Sequence, residues 1–350
     1  MRPDPSFAGR IYPPGPPYQV GREKLREFAA ATGATVPACF DPAAAGALGY
    51  ADVVAAPTFA VVIAQRAEAA YAADPAAGID FSRVVHAEES IVLHRPIIAG
   101  DWLTPTLRVV GVRQRGAIAM VTTEVKLADP AGVPVASVTS VLAVRDAAPP
   151  ADAVPPAALS APPADAALPI PPADAAPPAA LSAPPADAAS LGAGPPERVP
   201  GVVGELNAGA GGLTSGAEWR AGDQLGPVEV SLTRADLVRY AGASGDFNPI
   251  HWSDAAARAA GLSGVIAHGM ATMGYAIQFL VTRVGDPGAI AEYSARFVRP
   301  VPVPEGGAAQ LHISGGIVAV VGAAATVNLT VESQGVRVLA RTQAKIRLSG

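Results

Sequence analysis

An aspartate and a histidine stand five positions apart in the stretch Tyr240-Ala-Gly-Ala-Ser-Gly245-Asp246-Phe-Asn248-Pro249-Ile-His251. Pro249 disfavours a helical backbone at Asn248, and Gly245 admits backbone angles that other residues avoid, so the segment reads as a fixed turn. Two titratable side chains on such a turn converge on one point. An imidazole with an ordinary pKa of ~6.5 exchanges protons near neutrality, and a carboxylate beside it can hold a water or orient the ring. Asn248 is the next nearest polar group, and its amide reads as a stabiliser of the loop.

The elements that must position this turn are legible on both sides of it. Thr233 followed by Asp236 marks a helix start, with Leu237 and Tyr240 on one face. Ser253 caps a short helix over Asp254 to Ala260, which Gly261 ends. Met270 to Val284 is apolar nearly all round, the pattern of a buried central helix. Gly269 lies where that helix begins, and the free amides and positive dipole end of a helix N-terminus suit an oxyanion. From Ala289 the pattern becomes strands. Val336 to Leu348 alternates Val338, Ala340, Thr342, Ala344, Ile346 and Leu348 against charged or amide residues, as a half-buried antiparallel strand does after a Gln334-Gly335 turn.

The chain repeats itself. A gapless shift of 212 residues carries Gly33 onto Gly245, Pro37 onto Pro249, Cys39 onto His251 and Gly49 onto Gly261, and His94-Arg95-Pro96 later matches Val298-Arg299-Pro300 at a slightly different offset. Internal duplication accounts for this pattern. In the first copy Ala34 replaces Asp246 and Cys39 replaces His251, so the acid and the base are both missing. Cys39 without an adjacent base reads as a buried small hydrophobe. Between the copies, residues 146–200 turn to alanine, proline, aspartate and serine, and Leu159 to Ala167 recurs identically at Leu181 to Ala189. That composition predicts an extended or disordered linker.

Composition narrows the chemistry. The 350 residues are long enough for two or three domains, and a formal charge of −5 argues against general nucleic-acid binding. One cysteine excludes an intramolecular disulfide, and the five histidines show no metal-ligand spacing, so no metal is expected. No apolar run reaches the length of a membrane span; the longest, Val53 to Ala64 and Ile317 to Val327, read as buried core elements. The beginning of the chain lacks an apolar signal region, from which a cytoplasmic location is expected.

The segment around Asp246 and His251 closely resembles the hydratase motif of the MaoC-like family, which includes R-specific enoyl-CoA hydratases and 3-hydroxyacyl dehydratases of fatty-acid synthesis. Tyr12-Pro-Pro-Gly-Pro-Pro-Tyr and Ala56-Pro57-Thr58-Phe59 resemble the non-catalytic N-terminal dehydratase domain. The whole resembles a fused form of the two-subunit dehydratase of mycobacterial fatty-acid elongation, over both halves but not the linker. The resemblance implies an α+β architecture of two hot-dog folds, each a curved antiparallel sheet around a central helix, paired as an intramolecular pseudo-dimer. Residues 1–145 are then a catalytically silent hot-dog domain, and 201–350 the catalytic one.

The implied reaction is reversible hydration of trans-2-enoyl thioesters, or dehydration of (3R)-3-hydroxyacyl thioesters, without a cofactor. Asp246 and His251 would be catalytic, and Gly269 and Asn248 would be the oxyanion and substrate-binding positions, Gly269 in the oxyanion hole and Asn248 steadying the loop through its amide. The expected partner is an acyl-CoA or acyl-carrier-protein thioester, with a homodimer of double hot-dog chains as a possible assembly. Arg258, Arg283, Arg296 and Arg299 are candidates for a carrier phosphate. A thioesterase on the same fold and a non-enzymatic acyl-thioester binder are the competing readings.

Overall fold

The computed structural model describes residues 2–79, 84–116, 118–145 and 219–348; the linker expected at 146–200 lies outside the described residues. The first half runs β1 (Tyr18–Gln19), α1 (Arg22–Ala31), α2 (Pro42–Ala47), α3 (Ala60–Ala72), β2 (Val84–Leu93), β3 (Trp102–Arg115), β4 (Ile118–Ala128) and β5 (Pro134–Arg145). The second repeats the order as β6 (Gln224–Thr233), α4 (Arg234–Ser244), α5 (Asp254–Ala259), α6 (Gly269–Val284), β7 (Ile290–Phe297), β8 (Ala308–Val321), β9 (Ala324–Ser333) and β10 (Val336–Arg347).

Local chemistry explains where these elements start and stop. Thr233 and Asp236 form a reciprocal capping box: the Asp236 amide donates to Thr233 Oγ1 at 3.3 Å, and the Thr233 amide donates to the Asp236 carboxylate at 2.9 Å. A cap of this kind contributes about 1 kcal/mol. The helix stops at Gly245, whose φ of 84° is left-handed. α1 buries Leu25, Phe28 and Ala29, the i, i+3, i+4 stripe of an amphipathic helix. α6 buries every residue from Met270 to Val281, as its all-round apolar sequence requires.

All ten strands among the described residues form one antiparallel sheet in the order β1-β3-β4-β5-β2-β7-β10-β9-β8-β6. The halves join where β2 pairs with β7, Glu88 opposite Arg296, Ser90 opposite Ser294 and Val92 opposite Glu292. Ser90 and Ser294 are equivalent positions of the repeat, so a pseudo-twofold axis passes through that pair. The same axis brings equivalent rings together on the helix side, where Phe28 and Tyr240 lie 6.0 Å apart. Two curved sheets, each wrapped around its long helix and fused edge to edge, are the expected pair of hot-dog folds.

Two expectations need correction. Ile317 to Val327 is not a buried core element but the β8–β9 hairpin, with Val318 51% and Val321 77% exposed at its tip. The alternation of β10 holds from Thr342 onward, but register shifts between Leu339 and Thr342, with Arg341 at φ 49°, bury Leu339 and leave Ala340 only half-buried. A bulge changes which residues face inward, and binary patterning does not reveal it.

Candidate active site

The turn after α4 is built by its own polar side chains. The Ser244 hydroxyl accepts from the Asp246 amide at 3.1 Å, Asp246 Oδ1 accepts from the Asn248 amide at 3.2 Å, and Asn248 Oδ1 accepts from the Ile250 amide at 3.3 Å. Asn248 thereby caps the short 3-10 turn Pro249–His251.

His251 is 7% exposed, and its Nδ1 donates to the Ile266 carbonyl at 2.9 Å. That bond assigns the proton to Nδ1 and leaves Nε2 with a free lone pair. The orienting partner is a backbone carbonyl and not Asp246. A backbone acceptor carries no side-chain signature, so sequence reasoning could not find it. Burial pushes the His251 pKa down, against the opposing pull of the Asp246 charge.

His268, the residue before α6, is drawn into the same cluster. Its ring stacks on His251 with centroids 3.8 Å apart and planes at 27°, and its Nε2 donates to the Asp246 backbone carbonyl at 3.1 Å. Burial and the neighbouring His251 lower its pKa to about 4, so it stays neutral, and its Nδ1 is buried without a hydrogen-bond partner. Asp246, His251 and His268 present donor atoms within 4.8 Å of one another.

Gly269 opens α6 directly after His268. A Cβ there would lie 3.0 Å from the Phe297 ring, so the glycine lets the helix start pack closely on β7 while its amide belongs to the unsatisfied first turn. Phe247 and Trp252, 62% and 46% exposed, flank the turn, and Trp252 Nε1 donates to the Phe247 carbonyl at 3.1 Å.

The four arginines do not all converge. Arg283 bonds the Phe279 carbonyl and reaches Gly226 at the far end of α6, about 20 Å along the helix from Gly269. Arg296 pairs with Glu88 at 3.5 Å. Arg258 lines a surface depression of about 340 Å³ with Arg234 and Asp254, and Arg299 lines an adjoining one that shares Pro302 and Gln334 with it. Cys39 is fully buried, and burial followed by the Asp286 charge pushes its thiol up to about 12, which leaves it protonated and inert.

Comparison with known proteins agrees with this two-part plan. Residues 6–138 match the family described as FAS1-like, dehydratase domain region, and residues 219–336 match the MaoC like domain. The chain belongs to the MaoC-like dehydratase family. Its first half is 49% identical over 142 residues to a UPF0336 protein of Leifsonia xyli, spanning 41% of this chain and 95% of that one. A solved structure described as a MaoC-like dehydratase superposes with a TM-score of 0.76 at 28% identity, covering 98% of this chain and 99% of the other. A Mycobacterium tuberculosis protein described as having a double hotdog fold superposes with a TM-score of 0.59 at 16% identity, over 97% and 95% of the two chains. Hydro-lyases, which add or remove water, are the enzyme kind of this family. No described helix is long and apolar enough to cross a membrane.

Proposed function

We propose that this protein hydrates trans-2-enoyl thioesters and, in reverse, dehydrates (3R)-3-hydroxyacyl thioesters, with Asp246 and His251 as the acid–base pair. The observation that carries the reading is the anchored His251 ring: Nδ1 is fixed on the Ile266 carbonyl and Nε2 is free, in a cluster with the Asp246 carboxylate. A water held between Nε2 and the carboxylate gives its oxygen to C3 and its proton, by way of His251, to C2. One water is consumed, and nothing else is needed for balance.

Between the two bond-forming events the thioester carbonyl carries enolate charge. The Gly269 amide and the positive end of α6, which begins at that residue, would receive it, and one such donor is typically worth ~10²–10³-fold in rate. A neutral His251 is the form that accepts a proton, and its burial keeps it neutral to lower pH than an ordinary imidazole. The substrate is an acyl-CoA or acyl-carrier-protein thioester.

The test is incubation of purified protein with trans-2-butenoyl-CoA, without added metal or nucleotide, following the enoyl-thioester absorbance and free thiol together. Hydration bleaches the absorbance and releases no thiol. Release of free CoA would replace this reading with the thioesterase, and binding without turnover would replace it with an acyl-thioester binder.

A further inference from the structure

Hydration by Asp246 and His251 leaves His268 without a part, yet His268 touches both of them. It is 1% exposed, and its backbone opens α6: the His268 carbonyl accepts from the Thr272 amide at 3.0 Å and from the Thr272 hydroxyl at 3.2 Å. Its side chain does not cap that helix. Instead Nε2 donates to the Asp246 carbonyl at 3.1 Å, and the ring lies 3.8 Å from the His251 ring and 4.9 Å from the Tyr240 ring, centroid to centroid.

The first half shows that the fold needs no histidine here. The shift of 212 residues that sets Cys39 on His251 sets Ala56 on His268. Matching backbone contacts fix the equivalence. Val54 bridges Ile98 as Ile266 bridges Pro302, and the Val54 amide donates to the Ala38 carbonyl at 3.0 Å as the Ile266 amide donates to Ile250 at 3.3 Å. Ala56 stands two residues past Val54, as His268 stands two past Ile266, and Ala56 is also 1% exposed. The half that lacks the acid and the base therefore lacks this histidine too, and closes over the position with a methyl group. As a core filler a histidine is a poor choice, because its Nδ1 is buried without a hydrogen-bond partner.

The contacts of His268 fall where the pair is otherwise loose. The Asp246 amide is held by the Ser244 hydroxyl at 3.1 Å, and the His268 bond holds its carbonyl, so both peptide groups that set the direction of the Asp246 side chain are tied. The His251 ring is pinned at one atom, Nδ1, on the Ile266 carbonyl at 2.9 Å, and a ring held at one atom can still swing about that bond. The His268 ring lies along its face and limits the swing. Both members of the pair are thereby referred to the start of α6, where the next residue is Gly269.

We propose, on the hydratase reading above, that His268 is a positioning residue of the acid–base site: its Nε2–H holds the Asp246 carbonyl and its ring backs the His251 ring, so that carboxylate, imidazole and the Gly269 amide keep one fixed spacing. The donating nitrogen is Nε2, so the ring is the neutral tautomer with its lone pair on Nδ1. A misplacement of about 1 Å in such a constellation can cost ~10²-fold in rate.

The experiment joins a spectroscopic reading of the ring nitrogens to the kinetics of three variants on trans-2-butenoyl-CoA. Long-range proton–nitrogen NMR correlation of the wild type should show His268 protonated on Nε2 and His251 on Nδ1. His268→Ala, which copies the first half, should lose ~10²-fold in kcat with KM nearly unchanged, because the substrate still binds while the reacting groups are out of place. His268→Phe keeps a ring against His251 without the donor, and His268→Gln restores a donor near the place of Nε2, so the glutamine variant should be the faster of the two. In His268→Ala the His251 Nδ1 proton should also exchange with solvent faster than in His268→Phe. A His268 protonated on Nδ1 overturns the proposal. So does a His268→Ala protein that keeps the wild-type kcat or loses only in KM, and so does a glutamine variant no faster than the phenylalanine one. If the variants do not fold, the wild-type tautomers decide alone. A wild type with these tautomers that hydrates nothing sinks the hydratase reading and leaves the clamp on the loop standing.

Discussion

Residues 33–39 and 245–251 trace the same path in the two halves. Each begins at a left-handed glycine, Gly33 at φ 72° and Gly245 at φ 84°, and each ends in a proline-led 3-10 turn, Pro37–Cys39 or Pro249–His251. A short helix follows both, Pro42–Ala47 capped by Asp41 and Asp254–Ala259 capped by Ser253. What differs is the side chains and the space before them. A Cβ on Gly33 would sit 2.6 Å from the Tyr275 ring, whereas one on Gly245 would meet nothing within 4 Å. At the glycine that begins the loop, the first half is filled by an aromatic ring and the second is open. Duplication has thus kept the scaffold twice and the reactive groups once.

The comparison can be broken most severely at Asp246. Asp246→Asn keeps the shape of the turn but removes the charge, and enoyl-thioester hydration should fall by ~10²–10⁴-fold with the melting temperature nearly unchanged. Gly33→Ala comes next. A left-handed alanine costs about 1–2 kcal/mol, and overpacking against Tyr275 adds about 1–3 kcal/mol, so urea denaturation should show a larger loss than Gly245→Ala, which meets only the backbone strain.

A pH profile sharpens the contrast further. In the proposed mechanism the neutral imidazole of His251 accepts the proton, and burial disfavours its charged form, so the acid limb of kcat/KM should lie below the ordinary ~6.5. The sign for stability is the same: an unfolded chain binds protons at His251 and His268 in a window where the folded one does not. Stability should therefore be present above ~6.5 and be lost as pH falls towards the about 4 of His268. The smallest effect belongs to Cys39. With its thiol protonated and buried, native protein should resist alkylation at pH 8, and denatured protein should react at once.

Most of the scaffold was legible because it is written in residues with strong local preferences. The gapless shift of 212 follows prolines and glycines that fix turns, and the capping box at Thr233 and Asp236 stands as read. Asp246 and His251 come together because five residues of turn leave them little choice. The parts that escaped depend on geometry without a letter code. The Ile266 carbonyl that fixes the His251 tautomer is backbone, and the extra residues at Ala87 and Ala291 look like ordinary strand. Alternation separates His86 from Glu89, and only the bulge reunites them. His268 stands seventeen residues past His251 in sequence, and only the folded chain stacks the two rings.

The central claim is that hydration is done by one loop of the two, and the ratio of two variants tests it most directly. His251→Ala and Cys39→Ala are truncations at equivalent positions of the repeat, both buried, and both are to be assayed on trans-2-butenoyl-CoA at equal folded concentration. The account predicts that Cys39→Ala retains nearly the wild-type kcat/KM while His251→Ala loses ~10²–10⁴-fold. Comparable rates in the two variants, whether both high or both low, would contradict it.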